Sequence, residues 1–320
     1  MKMTSVPNPI YGDISSSIDE ELQRSTQSSE SAVGELDIVV RRRKIIFACR
    51  AAVTGSIGGL LLGYDLGVIS GALPMLANEF DLSVYQQELV TSLMLVGCAI
   101  GACFGGIICD KIGRKRTVYV VCLIFLLGSV IMTLSRSISV LYFGRIVIGF
   151  GVSVSAIVDI SYLTEISPPE FRGAVVGTNE LMITVGVLLA FLIDFIFMGV
   201  TGGWRYMFAF PIILLTLWGS LMACLPESPR WLLVKGRTEE ALRVFRITCG
   251  GSESDAQKEF ERADASIQAS RVAKSSTLFS VVCKEWRLSM VVSISLMLLQ
   301  QFSGHGPVLT YAPELFAKTG

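Results

Sequence analysis

Residues 89–116 read LVTSLMLVGCAIGACFGGIICDKIGRKR: Leu89 to Cys109 carries no charge, and Asp110, Lys111, Arg114, Lys115 and Arg116 follow within one turn or two. A helix needs roughly 20 apolar residues to cross a hydrocarbon layer of about 30 Å, and it satisfies its own backbone polar groups there. This stretch therefore predicts a membrane-spanning helix ending abruptly at water. Six further runs qualify: about Phe47 to Leu76, Thr117 to Leu134, Val140 to Leu163, Val175 to Met198, Tyr206 to Leu225 and Leu288 to Phe316. Hydrophobic residues make up 52% of the 320-residue chain and charged ones 17%, so most of its surface faces lipid. The expected fold class is an all-α membrane protein: a six-helix bundle, a polar helical module and a seventh helix.

The formal net charge of +0 supplies no global field for nucleic acid, and the basic residues lack interleaved aromatics for base stacking. Eight cysteines lie mostly inside apolar runs and are expected to be small buried hydrophobes. With one histidine and no CxxC, neither a metal site nor a cofactor is expected. Residues 1–44 are polar and serine-rich, which predicts a disordered tail; within it Asn8-Pro9-Ile10-Tyr11 has the NPxY form that adaptor domains bind. Residues 45–225 hold the six spans, 226–287 the polar module with helices around Glu239 to Arg246 and Asp255 to Arg271, and 288–320 the seventh helix. Basic residues gather at Arg41 to Lys44, at Lys111 to Arg116, at Arg172 and in the module, so the N-terminus and module are expected on the cytoplasmic side.

Ionisable side chains inside spans are costly and mark function. Asp65 lies about 14 residues, or roughly 21 Å, beyond the inner end of the first span; Arg145 lies roughly 8 Å inside the outer end of the fourth. Equal depth predicts an ion pair, either a functional element or a structural tie. Asp159, 14 residues past Arg145, is expected to line an inner vestibule or meet cytoplasmic water. Glu180 and Asp194 repeat that spacing on the fifth span, with Thr184 on the same stripe, and Asp194 is expected to be solvated near the outer end. Gln300 and Gln301 fall near the midplane of the seventh span, just before Gly304-His305-Gly306-Pro307, which should interrupt the helix. Interrupted helices at the midplane are where transporters bind substrate, and an amide both donates and accepts, as a sugar hydroxyl requires. His305 is expected to be a satisfied hydrogen-bonding group rather than a proton relay.

An ordered set of motifs now resembles one family. Gly106-Ile107-Ile108-Cys109-Asp110-Lys111-Ile112-Gly113-Arg114-Lys115 is similar to GxxxDxxGR[KR]. Gly144-Arg145, Glu165 through Arg172-Gly173, Gly203-Trp204-Arg205, Pro226-Glu227-Ser228-Pro229-Arg230-Trp231-Leu232 and Gln300-Gln301-Phe302-Ser303-Gly304 follow in the family's order. Together they resemble the sugar porter family of the major facilitator superfamily. Gly63 to Leu73 with Asn179-Glu180-Leu181 look most like the class III animal facilitative glucose transporters, which include proton-linked members. The resemblance implies twelve helices in two six-helix domains rocking about a hexose or polyol, with uniport and proton symport both open. On it, Gln300, Gln301, Glu180 and Thr184 bind substrate, Asp65 and Arg145 couple protons, and Asp110, Arg114, Glu165 and Arg172 form a conformational latch, the alternative for these four being positive-inside anchors alone. Two departures stand out: His305-Gly306 replaces the segment with the family's sugar-contacting Asn, and Glu180 stands where most members have Gln.

The resemblance also implies that a second domain is absent after Gly320, so the chain by itself is expected not to catalyse transport. The competing expectation is a truncated product acting by interaction or substrate sensing. No enzyme is expected, because the histidine is isolated and no paired carboxylates share a loop with a nucleophile. The expected location is the plasma membrane or intracellular vesicles.

Overall fold

The computed structural model describes residues 37–273 and 287–304, and no strand occurs among them. Among the described residues, six helices are long and apolar enough to cross a membrane: α1 (Asp37–Phe80), α2 (Val84–Ile112), α3 (Arg114–Thr133), α4 (Ile138–Ile166), α5 (Arg172–Phe197) and α6 (Gly203–Ala223). The module contains α7 (Pro229–Val234), α8 (Thr238–Thr248) and α9 (Glu253–Ala273), and α10 (Arg287–Phe302) follows. Asn8-Pro9-Ile10-Tyr11 and His305 lie outside the described residues.

The apolar runs set the spans, and local chemistry sets their ends. Ser83 caps α2 in a reciprocal box: its hydroxyl accepts from the Gln86 N–H while the Gln86 amide oxygen accepts from the Ser83 N–H at 2.9 Å. A single residue, Gly113, joins α2 to α3 with φ +100°, a conformation that L side chains rarely adopt. Its pro-Cβ position faces Glu227 and Trp231, so the turn is also closed sterically. At α7, Ser228 caps and Pro229 takes the first helical position.

Two expectations shift here. α1 starts at Asp37, because Arg41 to Lys44 continue the helix ahead of the apolar run instead of ending a tail. There the Lys44 ammonium reaches Asp255 on α9 at 2.9 Å, a hydrogen bond that holds the Asp255 carboxyl below the usual carboxylate range. The cysteines are not uniformly buried: Cys109 and Cys249 are, whereas Cys49, Cys103 and Cys224 face outward.

The bundle is held by α1 against α5 and by α4 against α2 and α3. Lipid is as apolar as leucine, so association here depends on close packing rather than on escape from water. Glycines supply it twice. A Cβ at Gly63 would collide with the carbonyl oxygen of Ile183, and one at Gly186 with that of Leu60, which brings α1 and α5 to backbone contact. Gly97 against Ile146 and Gly149 against Met94 do the same for α2 and α4. Trp204, Trp218, Tyr64, Phe125 and Phe208 fill the remaining interior.

Replacing Gly63 or Gly97 by Leu is expected to destabilise the purified protein by about 1–3 kcal/mol each through overpacking. Gly106→Leu, at a site where a Cβ meets nothing, is the matched control. Thermal unfolding in detergent, followed by tryptophan fluorescence, measures the difference; equal midpoints for Gly63→Leu and Gly106→Leu would show that the close approach contributes no stability.

Candidate functional site

Two polar centres emerge, one inside the bundle and one at the end that carries the module. Inside, Asp65 of α1 and Arg145 of α4 meet, as equal depth predicts: Arg145 Nη1 lies 3.2 Å from Asp65 Oδ1. Arg145 Nε also donates to the Val90 carbonyl of α2 at 3.1 Å, so one guanidinium ties three helices together. Both side chains are buried, Arg145 to 1% exposure. The pair is held through one carboxylate oxygen only; Asp65 Oδ2 is buried without a hydrogen-bond partner. Removing one member of such a pair typically costs about 3–5 kcal/mol, because the other charge is left uncompensated.

The expectations for Asp194 and Asp159 fail. Asp194 is not solvated: it is 3% exposed, and its Oδ2 accepts from the Gly71 N–H at 3.1 Å. That N–H lies just ahead of Pro74 within α1, so the carboxylate braces the helix where the proline disturbs it. Asp159 lines no vestibule and meets no water; it is 3% exposed and packs against Gly58 of α1, with Ser155 donating to it. Sequence gives depth along a helix, whereas solvation depends on which neighbour covers the group.

Glu180 and Thr184 share an exposed face of α5, and the Thr184 hydroxyl donates back to the Glu180 carbonyl at 3.3 Å. Gln300 and Gln301 are exposed on α10. The structure thus groups Glu180 with Thr184 and does not bring the two glutamines into a cavity with them. A cavity of about 350 Å³ lies elsewhere, between Cys49, Arg50, Val53 and Thr54 of α1 and Leu221, Cys224 and Leu225 near the end of α6.

At the module end, Arg114 Nη2 donates to Glu165 Oε1 at 3.0 Å, its Nε lies 2.9 Å from Oε2 as an ion-pair contact without a hydrogen bond, and the guanidinium touches Asp110 at 3.1 Å. Three of the four expected latch residues therefore meet. Arg172 forms no ion pair with them: its Nε is buried without a partner, although it lines a small crevice together with Glu165, Arg230, Glu259 and Arg262. Its place is taken by residues from the segment after α6. Ser228 donates to Glu165, while Glu227 Oε1 accepts from the Lys115 and Ser228 N–H groups, each at 2.9 Å. Lys115 Nζ donates to the Leu225 carbonyl at 2.6 Å, Tyr162 to that of Pro226 at 2.6 Å, and Trp231 Nε1 to that of Asp110 at 3.0 Å. The signal for these was the charged Glu227 beside the capping Ser228, but nothing in the sequence says which turn they close upon. Among the described residues, no group of three or more His, Cys, Asp or Glu side chains is placed to hold a metal.

Comparison with known proteins places this geometry in context. The family model described as "Sugar (and other) transporter" matches residues 51–320. The chain is 36% identical over 282 residues to the Probable inositol transporter 2 of Arabidopsis thaliana, covering 86% of this chain and 48% of that protein. It is 35% identical to solute carrier family 2, facilitated glucose transporter member 12, of Macaca fascicularis, covering 86% of this chain and 44% of that one. Its fold is similar to that of the major facilitator superfamily proton:xylose symporter XylE bound to 6-bromo-6-deoxy-D-glucose, with a TM-score of 0.74, 26% identity, and coverage of 87% and 64% of the two chains. The chain spans about half the length of the curated relatives it matches. Six apolar spans and a family match over residues 51–320 make this a multi-pass membrane protein that belongs to the sugar (and other) transporter family.

Proposed function

We propose that this chain forms one wall of a carrier that moves a neutral hexose or polyol by alternating access, with Asp65 as a proton acceptor whose charge Arg145 holds. The observation that carries the reading is the buried, one-oxygen contact between Asp65 and Arg145 on facing helices α1 and α4. A carboxylate left buried without its cation is an uncompensated charge, and a proton neutralises it. If rocking parts α1 from α4, loss of the guanidinium and gain of a proton become one event, and solute movement is linked to proton movement. The names of the relatives support the solute class: they include an inositol transporter, a facilitated glucose transporter and a proton:xylose symporter.

In this reading the N-terminus and the module are cytoplasmic, in keeping with the basic residues around Arg41 to Lys44 and Lys111 to Arg116. The protein works in the plasma membrane or intracellular vesicles. Arg114, Glu165, Asp110, Glu227 and Ser228 form the cytoplasmic latch that closes one conformation and opens in the other, as a bistable element must. Gln300, Gln301, Glu180 and Thr184 contact solute hydroxyls once α10 is seated across the pathway from α5.

Three outcomes follow in a transporter containing both walls. Asp65→Asn abolishes pH-driven accumulation in vesicles yet preserves downhill exchange; accumulation with an unaltered pH dependence would sink the coupling role. Glu165→Gln weakens the latch by about 1.5–3 kcal/mol, the range for hydrogen bonds to charged groups, and shifts the conformational balance roughly tenfold or more. Cysteine accessibility at the module end reads that shift, and unchanged labelling rates argue for a static tie. Gln300→Ala and Gln301→Ala each weaken solute binding by about 0.5–1.5 kcal/mol; isothermal titration showing unaltered affinity for both would put the site elsewhere.

A further inference from the structure

A second carboxyl is sealed in the seam between α1 and α4. Asp159 lies 14 residues beyond Arg145, roughly 21 Å along α4 towards the module end. It is 3% exposed. Its Oδ2 accepts from the Ser155 hydroxyl at 2.7 Å, and Ser155 is itself fully buried. Its Oδ1 is buried with no hydrogen-bond partner. Across the seam the carboxyl lies against Gly58, where any Cβ would collide with it.

What distinguishes it from Asp65 is the absence of a cation. Among the described residues Asp159 forms no ion pair; Ser155 of its own helix is the side chain that bonds to it, and Cys122 of α3 is a titratable neighbour. α1 presents only backbone at Gly58. A buried carboxylate so placed has one hydroxyl donor to offset the whole loss of hydration, which is far too little. A bound hard cation is a poor substitute, because such ions require six or more oxygen ligands and the group shows one carboxyl and one hydroxyl. A proton suits the geometry: it removes the charge that one hydroxyl donor cannot offset, while Oδ2 keeps the bond it accepts from Ser155.

We propose that Asp159 is a proton-binding site, a neutral carboxylic acid paired with Ser155 and lidded by the α1 backbone at Gly58. The proton exchanges with water only when α1 and α4 part at the module end. This site is independent of the Asp65 reading, since it concerns the protonation state of the chain itself and not transport.

Infrared difference spectroscopy on the purified chain in lipid nanodiscs tests it directly. At neutral pH the unsubstituted chain should show the carbonyl stretch of a protonated carboxylic acid, a component that Asp159→Asn removes and Ser155→Ala shifts in frequency. Should Asp159→Asn fail to fold, the Ser155→Ala shift decides alone. A carboxylic acid band unchanged in both variants would overturn the proposal. So would loss of the band on adding sodium chloride at fixed pH, which would make the group a cation site instead.

Discussion

Backbone-to-backbone contact at four glycines is the constraint from which the polar interior follows. Gly63 and Gly186 draw α1 onto α5, and Gly97 and Gly149 draw α2 onto α4. Asp65 lies two residues beyond Gly63, and Arg145 lies one turn before Gly149. Val90, whose carbonyl receives the Arg145 guanidinium, lies two turns before Gly97. The three-helix knot around Arg145 is therefore built where glycine fixes the helix axes most closely. A bulkier residue at those contacts would move the helix axes by more than a single 3.2 Å hydrogen bond tolerates.

The two polar centres obey different rules because water reaches one and not the other. At the module end, Arg114 and Glu165 are partly exposed and joined by one charge-assisted hydrogen bond and one ion-pair contact, with Ser228 donating to the same carboxylate. Around it, Glu227, Lys115 and Trp231 bind backbone groups, so the segment after α6 is clasped rather than merely adjacent. The inner pair is dry and rests on one oxygen, so most of its strength comes from the surrounding low dielectric. Wetting weakens the inner pair far more than the outer one.

The six spans were legible because a lipid-facing helix must be apolar over a known length. The Asp65–Arg145 contact was legible because depth along a straight helix is arithmetic, and two opposite charges at one depth have few alternatives. Burial of Asp159 and Asp194 was not, since both depend on how closely α1 approaches at Gly58 and Gly71. The early start of α1 was hidden for a related reason: a basic run reads as a loop until Lys44 finds Asp255 more than two hundred residues later. Glu227 and Ser228, for which no latch role was expected, stand where Arg172 was expected, because the turn that faces Glu165 decides its partners. Gln300 and Gln301 fall on a helix whose described side chains are mostly exposed, and depth along that helix does not say what they face.

α1 rests on a fulcrum. Its helical hydrogen bonds run on through Ser56, and near its other end Asp194 holds the Gly71 N–H beside Pro74. Between the two stands the Gly63 contact with α5, and on either side of that fulcrum lie Gly58 over Asp159 and Asp65 on Arg145. A tilt about the fulcrum that lifts one arm from α4 presses the other arm onto it. The two carboxyls would then trade exposure in opposite phase, by leverage alone, with no signal passing between them.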